Sequence, residues 1–248
     1  LRQSGAQAVF WNRKYEPATQ PRDAALKRRL RESGVHVESF NGALLFEPWD
    51  LATQSGGPYK GSTPFCRNAQ SKWRLQEPWS APQHLPALPA LEGNLPIDYL
   101  GLQPRLGWDQ GFWEHWQPGE AGAREALEVF IDGALQGYSE DRDRPDRVGT
   151  SRLSPHLHFG EIAVWRVAHA LQQARSAANA RHVDAYIREL GWREFAYHLL
   201  HHFPQTPTEN LNPRFDQFNW AQVDDAALQA WQQGRTGVPI VDAGLREL

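Results

Sequence analysis

Closely spaced prolines in the middle of the chain constrain its fold more than any other sequence feature. Proline lacks a backbone N–H and fixes φ, so a segment with a proline every few residues does not form regular helix and favours extended structure. We therefore predict an interdomain linker over residues 76–118, between a first domain at 1–75 and a second domain at 119–248. The prolines between Gln76 and Gly111 are Pro78, Pro82, Pro86, Pro89, Pro96 and Pro104.

The part before the linker has the pattern strand, helix, strand. Residues 6–11 form a short apolar run typical of a buried parallel strand. Residues 22–33 have helical apolar spacing, and Gly34 ends that helix. Residues 35–37 have the pattern of a second strand. This order predicts the last part of an α/β domain with a parallel sheet.

The part after the linker has the pattern of amphipathic helices. Apolar residues recur at helical spacing in three stretches, so we predict a mainly α-helical domain. The first stripe is Leu127, Phe130, Ile131, Ala134 and Leu135, the second is Ile162, Trp165, Val167 and Ala168, and the third runs from Val183 to Phe203.

Composition narrows the classes of function. Lys and Arg total 26 against 29 Asp and Glu, so the chain has no large positive charge that would attract nucleic acid as a whole. Any polyanion must therefore be bound by a local group of residues. One cysteine, Cys66, excludes an internal disulfide framework and fits a reducing cytoplasm. No apolar run approaches the roughly 18 residues of a spanning helix, so we expect a soluble protein without membrane contact. The absence of Met and a last residue inside a helical pattern suggest a fragment.

The segment from Gly149 to Pro155 has the chemistry of a phosphate cradle. Ser154 is predicted to cap the following helix, with Pro155 as its first helical residue. The hydroxyls of Thr150, Ser151 and Ser154, the Arg152 guanidinium and free backbone N–H groups suit a phosphate. An ordinary capped loop is the alternative interpretation.

The third helix carries an unusual combination of side chains. Glu189, Trp192 and Arg193 are spaced i, i+3 and i+4, so a carboxylate, a large aromatic face and a guanidinium share one side. One interpretation is a site where a flipped base stacks on Trp192 and donates hydrogen bonds to Glu189. The other is an Arg–Glu pair beside a core tryptophan.

Histidines near the end of the same helix do not predict a metal centre. His198 and His202 have the i, i+4 spacing of metal ligands, but the HExxH pattern and a third ligand are absent. The alternative interpretation is a polar helix end, where imidazolium groups suit the negative pole. We therefore expect no metal.

Four segments together resemble the photolyase and cryptochrome flavoproteins, and within them the bacterial class I photolyases that repair cyclobutane pyrimidine dimers. The segments agree in order and spacing, and Tyr59-Lys60 with Thr63-Pro64-Phe65 resembles the family's linker motif. The resemblance implies a partial α/β antenna domain, then a partial, mainly α-helical FAD-binding domain. The four segments are 138–142, 149–160 (GTSRLSPHLHFG), 189–204 (ELGWREFAYHLLHHFP) and 231–248.

The resemblance also implies cofactors. FAD would lie beside Arg193, and an antenna chromophore of folate or deazaflavin type would lie in the first domain. Ala18 and Thr19 stand where folate-binding members have an Asn-Glu pair, so the type of antenna stays open. Further FAD contacts of the family would lie beyond Leu248, so the fragment alone could lack activity. The residues implied to contact FAD by position are Tyr138, Thr150, Ser151, Arg152, Leu153 and Ser154.

The implied activity is that of a deoxyribodipyrimidine photo-lyase, a monomer acting on UV-damaged DNA. Light-driven electron transfer from reduced FAD would split the dimer. Arg142 and Arg193 would face the DNA, and Glu189 and Trp192 would line the dimer pocket. Trp220 resembles the outermost tryptophan of the electron-transfer chain that reduces the flavin.

Two other functions stay open at this point. A cryptochrome-like photoreceptor would have the same fold and the same FAD but would use light for signalling. A helical module that binds nucleic acid without flavin would use Trp192 and the arginines. A lesion of the (6-4) type is an alternative to the cyclobutane dimer.

Overall fold

The computed structural model describes residues 4–74, 77–85, 95–222 and 224–247. Two compact units are present, residues 1–207 and residues 208–248, and each is described by itself. The prediction of domain boundaries at 75 and 118 stays a prediction.

The chain begins with a strand–helix–strand unit. Strand β1 (Ala8–Asn12) pairs in parallel with β2 (His36–Phe40), with Ala8 opposite His36. Helix α1 (Thr19–Glu32) connects them, because parallel strands need a crossover connection. The predicted α/β order is therefore confirmed, with boundaries shifted by up to three residues.

The proline-rich stretch is free of α-helix within its described residues, 77–85 and 95–118. Short 3-10 turns occur there at Ile97–Leu100 and Gln110–Glu114. Pro86, Pro89 and the rest of 86–94, together with residues 75 and 76, lie outside the described residues. The described residues therefore have the non-α-helical structure that closely spaced prolines favour.

The part after the linker is mainly helical, as predicted, whereas helix α2 (Ser62–Lys72) before the linker was not predicted. In the first unit, helix α7 (Ala180–His202) is 23 residues long and contains the predicted residues of the dimer pocket, Glu189 and Trp192. No helix among the described residues has the length and apolarity needed to cross a bilayer. The helices that follow α1 are α2 (Ser62–Lys72), α3 (Glu120–Asp132), α4 (Tyr138–Asp141), α5 (Ser154–Phe159), α6 (Val164–Gln173) and α7 (Ala180–His202), with α8 (Asp225–Gln232) and α9 (Pro239–Glu247) in the second unit.

Two apolar clusters hold the first unit together. The larger one lies among α3, α6 and α7 and contains the predicted residues Leu127, Phe130 and Val167. The smaller one joins α2 to α7 through Leu51, Phe65, Ala69 and Phe195. The second cluster therefore attaches the segment before the linker to the long helix α7.

Candidate functional site

The loop before α5 is shaped by hydroxyl hydrogen bonds. Oγ of Ser151 lies 2.7 Å from the Tyr186 hydroxyl and accepts the Leu153 backbone N–H at 3.3 Å. Arg152 has φ of 53°, a left-handed conformation that is rare outside glycine. Helix α5 begins at Ser154, so the prediction that Ser154 is the N-cap is wrong by one residue, and no side chain caps this helix.

Gly149 brings this loop against the end of α4. A Cβ atom on Gly149 would lie 2.3 Å from the backbone oxygen of Asp141, far inside van der Waals contact. Backbone atoms cannot rotate away as a side chain can, so only glycine fits here without displacing the loop. The sequence placed Gly149 at the start of the candidate cradle, but it did not predict this close approach to α4.

We expect Gly149→Ala to lower the free energy of unfolding by about 1–3 kcal/mol, the usual cost of forcing an extra methyl into packed structure. Urea denaturation followed by circular dichroism measures this change. Gly111→Ala is the matched control, because a Cβ at Gly111 meets open space. Equal stability of the two variants would contradict the close approach of the loop to α4.

An open cavity of about 650 Å³ lies beside the loop. Thr150, Ser151 and Arg152 form one wall, and the aromatic rings of Trp113 and Trp116 form another. The other predicted FAD residues do not line it. Leu153 is buried in the core, Ser154 is exposed at the start of α5, and Tyr138 and Arg193 are described below.

Tyr138 belongs to an aromatic cluster under the loop. Its ring centroid lies 5.1 Å from that of Tyr186 and 5.6 Å from that of Phe130. Burial raises the pKa of Tyr138 above its usual value, and burial raises the pKa of Tyr186 to about 12. Both phenols are therefore neutral hydrogen-bonding groups at physiological pH.

Arg142 and Glu189 form an ion pair across α4 and α7. The Arg142 guanidinium also lies 5.5 Å from the centre of the Tyr138 ring, which favours a cation–π contact. The hydrogen bond that Arg142 donates to the Glu189 carboxylate raises the pKa of Arg142 above its ordinary value, so Arg142 stays charged. The structure thus brings together Tyr138, Arg142 and Glu189, which are predicted site residues from two parts of the sequence.

Trp192 is exposed beside this pair on α7. Its side chain is 53% exposed, so the alternative of a core tryptophan beside an Arg–Glu pair is wrong. Phe195 supports the ring edge-to-face at 6.1 Å. An exposed aromatic ring can stack on a base. A carboxylate held next to that ring can accept hydrogen bonds from the edge of the same base.

Arg193 makes its contacts away from Glu189. Its Nη1 donates to the backbone oxygen of Ala43 at 2.8 Å, and its guanidinium lies 5.0 Å from the Tyr197 ring centre. Glu189 pairs instead with Arg142. The three residues predicted to act together on one side therefore make two separate sets of contacts, Arg193 with the segment after β2 and Glu189 with Arg142.

Glu194 is a residue that sequence reasoning missed. Its side chain is buried on α7, and burial raises its pKa to about 7 despite the opposing effect of Arg193 and of backbone N–H donors. A signal was present in the sequence. Leu190, Glu194 and His198 are four residues apart, which places a carboxylate on the same helix stripe as a core leucine.

The histidines of α7 bind backbone groups. Nε2 of His198 accepts the Tyr59 backbone N–H at 3.0 Å, and its Nδ1 lies 3.1 Å from the Pro48 oxygen, which His202 also contacts. Burial, aided by the charge of His202, lowers the pKa of His198 to about 4. The interpretation of His198 as an imidazolium at a polar helix end is therefore wrong. Within the described residues, no three His, Cys, Asp or Glu side chains are placed to hold a metal.

Trp220 lies in the second unit and is 77% exposed. Its ring contacts Phe218 edge-to-face at 4.8 Å. Its role in electron transfer stays a prediction.

Comparison with known proteins identifies the class of protein to which this fold belongs. The family model described as DNA photolyase matches residues 1–89, and the model described as the FAD binding domain of DNA photolyase matches residues 186–248. The chain belongs to the photolyase/cryptochrome family.

Its relatives include proteins named deoxyribodipyrimidine photo-lyase and proteins named cryptochrome. The deoxyribodipyrimidine photo-lyase of Agrobacterium fabrum is 43% identical over the whole chain, which covers 52% of that protein. Cryptochrome-1 of Arabidopsis thaliana is 33% identical over the whole chain, which covers 37% of that protein. The chain thus spans about half or less of the length of these curated relatives.

A solved structure gives the same picture. The bacterial class III photolyase from Agrobacterium tumefaciens matches with a TM-score of 0.84 and 42% identity over 99% of this chain and 51% of that one. This confirms the predicted fold of a partial α/β domain followed by a partial helical domain. Membership of class I stays a prediction.

FAD is the cofactor indicated by the matched helical domain. The residues of the loop fit such a group, because the cavity that they line is also lined by Trp113 and Trp116. Hydroxyls and a guanidinium suit a phosphate, and indole rings suit a planar ring system. The structure therefore supports Thr150, Ser151 and Arg152 as the part of the predicted set that faces free space.

Proposed function

We propose that the protein to which this chain belongs repairs cyclobutane pyrimidine dimers in UV-damaged DNA with light and reduced FAD. The observation that carries the proposal is the exposed Trp192 beside the Arg142–Glu189 ion pair. The similarity to proteins named deoxyribodipyrimidine photo-lyase supports it.

Trp192 and Glu189 would bind the lesion. A dimer is poorly stacked in the duplex, so its extrusion costs less than that of a normal pair. The exposed face of Trp192 would stack on the extruded bases. Oε1 of Glu189 makes the ion pair, and its Oε2 would accept hydrogen bonds from the N–H groups of a base edge.

The loop at 150–152 would hold the cofactor. The hydroxyls of Thr150 and Ser151 would donate to phosphate oxygens, and Arg152 would neutralise phosphate charge. When bound, FAD supplies light absorption and the electron that splits the dimer. The neutral phenols of Tyr138 and Tyr186 would add no negative charge next to the loop.

Repair by the full-length, flavin-loaded protein tests the proposal. The protein is incubated with FAD, desalted, reduced and illuminated with an oligonucleotide that carries one thymine dimer. We expect retained flavin absorption and loss of the dimer in light but not in the dark. A dark sample and an oligonucleotide with a (6-4) lesion are the controls.

Each alternative function predicts a different result. Retained flavin without dimer splitting favours the cryptochrome-like photoreceptor, to which the 33% identity with cryptochrome-1 also points. DNA binding that is independent of both flavin and lesion favours the flavin-free module. Splitting of the (6-4) lesion alone would contradict the proposed substrate. The predictions of a monomer and of a cytoplasmic location are separate from this test.

A further inference from the structure

The buried stripe of α7 carries polar groups that bind backbone atoms of the segment after β2. Glu194 and His198 are one helical turn apart, and both side chains are buried. Their partners are backbone groups of residues 45–59, about 150 positions earlier in the sequence. The buried face of a helix normally consists of apolar residues, so the presence of Glu194 and His198 on this face needs an explanation.

Glu194 makes the densest set of these contacts. Its Oε2 accepts the backbone N–H groups of Leu45 at 2.8 Å and Phe46 at 3.2 Å. Its Oε1 lies 3.1 Å from Nη1 of Arg193, and the same Nη1 donates to the Ala43 oxygen. One carboxylate and one guanidinium thus bind three backbone groups within four residues.

The charged and titratable groups around Glu194 come from two helices. On α7, Arg193 contacts it, Arg188 lines the small cavity beside it, and His198 follows one turn later. From α2, Cys66 lines the same cavity. The segment at 43–46 contributes backbone dipoles. Arg193 is therefore the charge in direct contact with Glu194 among the described residues.

We propose that Glu194 is a positioning residue. Its hydrogen bonds with the 43–46 segment, here called the lock, hold α7 at one rotation about its axis and thereby fix where Glu189 and Trp192 point. Glu194 follows Trp192 by two residues, which is about 200° around a helix, so a contact at Glu194 fixes the direction of Trp192 on the far side. The part of this proposal that concerns lesion binding rests on the proposed function.

Because Glu194 binds and releases a proton, the opening equilibrium of the lock depends on pH. The pKa of Glu194 is about 7 in the closed structure and has the ordinary value of 4.5 when the lock opens to water. The protonated form therefore favours the closed state. As pH rises from about 4.5 to about 7, opening becomes easier, and above that range the opening equilibrium is constant.

Hydrogen exchange of the Leu45 and Phe46 amides tests the lock without any cofactor or DNA. After correction for intrinsic exchange, we expect their opening constants to rise by about 100-fold between pH 4.5 and pH 7.5. In Glu194→Gln the amide oxygen still accepts hydrogen bonds, so protection remains but its pH dependence is lost. In Glu194→Ala protection is lost at every pH.

Glu128→Gln is the matched control for these measurements, because Glu128 is exposed on α3. It should reproduce the unchanged chain. Equal pH dependence in Glu194→Gln and the unchanged chain would overturn the assignment of the lock to Glu194. Unchanged protection in Glu194→Ala would overturn it as well.

Binding of a dimer-containing oligonucleotide tests the positioning step. We expect Glu194→Ala to weaken binding about tenfold and Glu194→Gln to restore it. Restored amide protection in Glu194→Gln without restored binding would overturn the link to Trp192. If the unchanged chain binds no lesion, the proposed function fails while the exchange experiment still decides whether the lock exists.

Discussion

Replacing Trp192 with alanine weakens binding of a thymine-dimer oligonucleotide by roughly 5- to 150-fold, because stacking of a base on an aromatic ring contributes about 1–3 kcal/mol. The large expected effect follows from the exposure of the ring next to the Arg142–Glu189 ion pair. Fluorescence anisotropy with lesion-containing and undamaged oligonucleotides measures the two affinities.

Trp192→Phe is the matched variant, since it keeps an aromatic face of smaller area. We expect it to recover most of the affinity, while affinity for undamaged DNA changes little in either variant. Trp49→Ala controls for the loss of an exposed tryptophan elsewhere in the first unit. An equal loss of affinity for damaged and undamaged DNA would show that Trp192 does not recognise the lesion.

Replacing His198 with alanine lowers the free energy of unfolding by about 2–6 kcal/mol. The substitution leaves the Tyr59 N–H without its acceptor and removes one of two donors to the Pro48 oxygen. The Tyr59 N–H that is left unsatisfied costs about 1–3 kcal/mol, and the cavity that forms where the ring packed on Phe65 adds a cost of similar size. Urea denaturation at pH 7 measures the loss, with His158→Ala on α5 as the exposed control.

His198 also makes the free energy of unfolding sensitive to acid. Its folded pKa of about 4 lies below the ordinary 6.5, so the unfolded chain binds the proton more readily between these values. The contribution of His198 to stability is therefore complete above pH 6.5 and declines as pH falls toward 4. If His198→Ala and the unchanged chain lost stability in parallel over this range, the neutral state of His198 would be disproved.

Local patterns in the sequence were enough to predict most of the fold. The alternation of strand, helix and strand before the linker and the apolar stripes at Leu127 and Val167 depend on periodicity, which short segments carry by themselves. The error at Ser154 is a shift of one residue at a helix end, where capping competes with extension of the helix.

The candidate site was harder to predict because its partners are distant in sequence. Glu189 was grouped with Arg193 by helical spacing, yet the fold presents it with Arg142 from a different helix. Spacing alone cannot choose between an ion-pair partner on the same helix and one brought by tertiary contact. The burial of Glu194 likewise depends on Leu45 and Phe46 and has no local cause.

The hydrogen bonds between α7 and the 43–59 segment also govern the order in which the protein folds. They join residues separated by 139 to 154 positions, so a long loop must close before any of them forms. During synthesis, Leu45 and Pro48 leave the ribosome long before Glu194 and His198 do. The residues around position 45 therefore lack these hydrogen-bond partners until α7 has been synthesised.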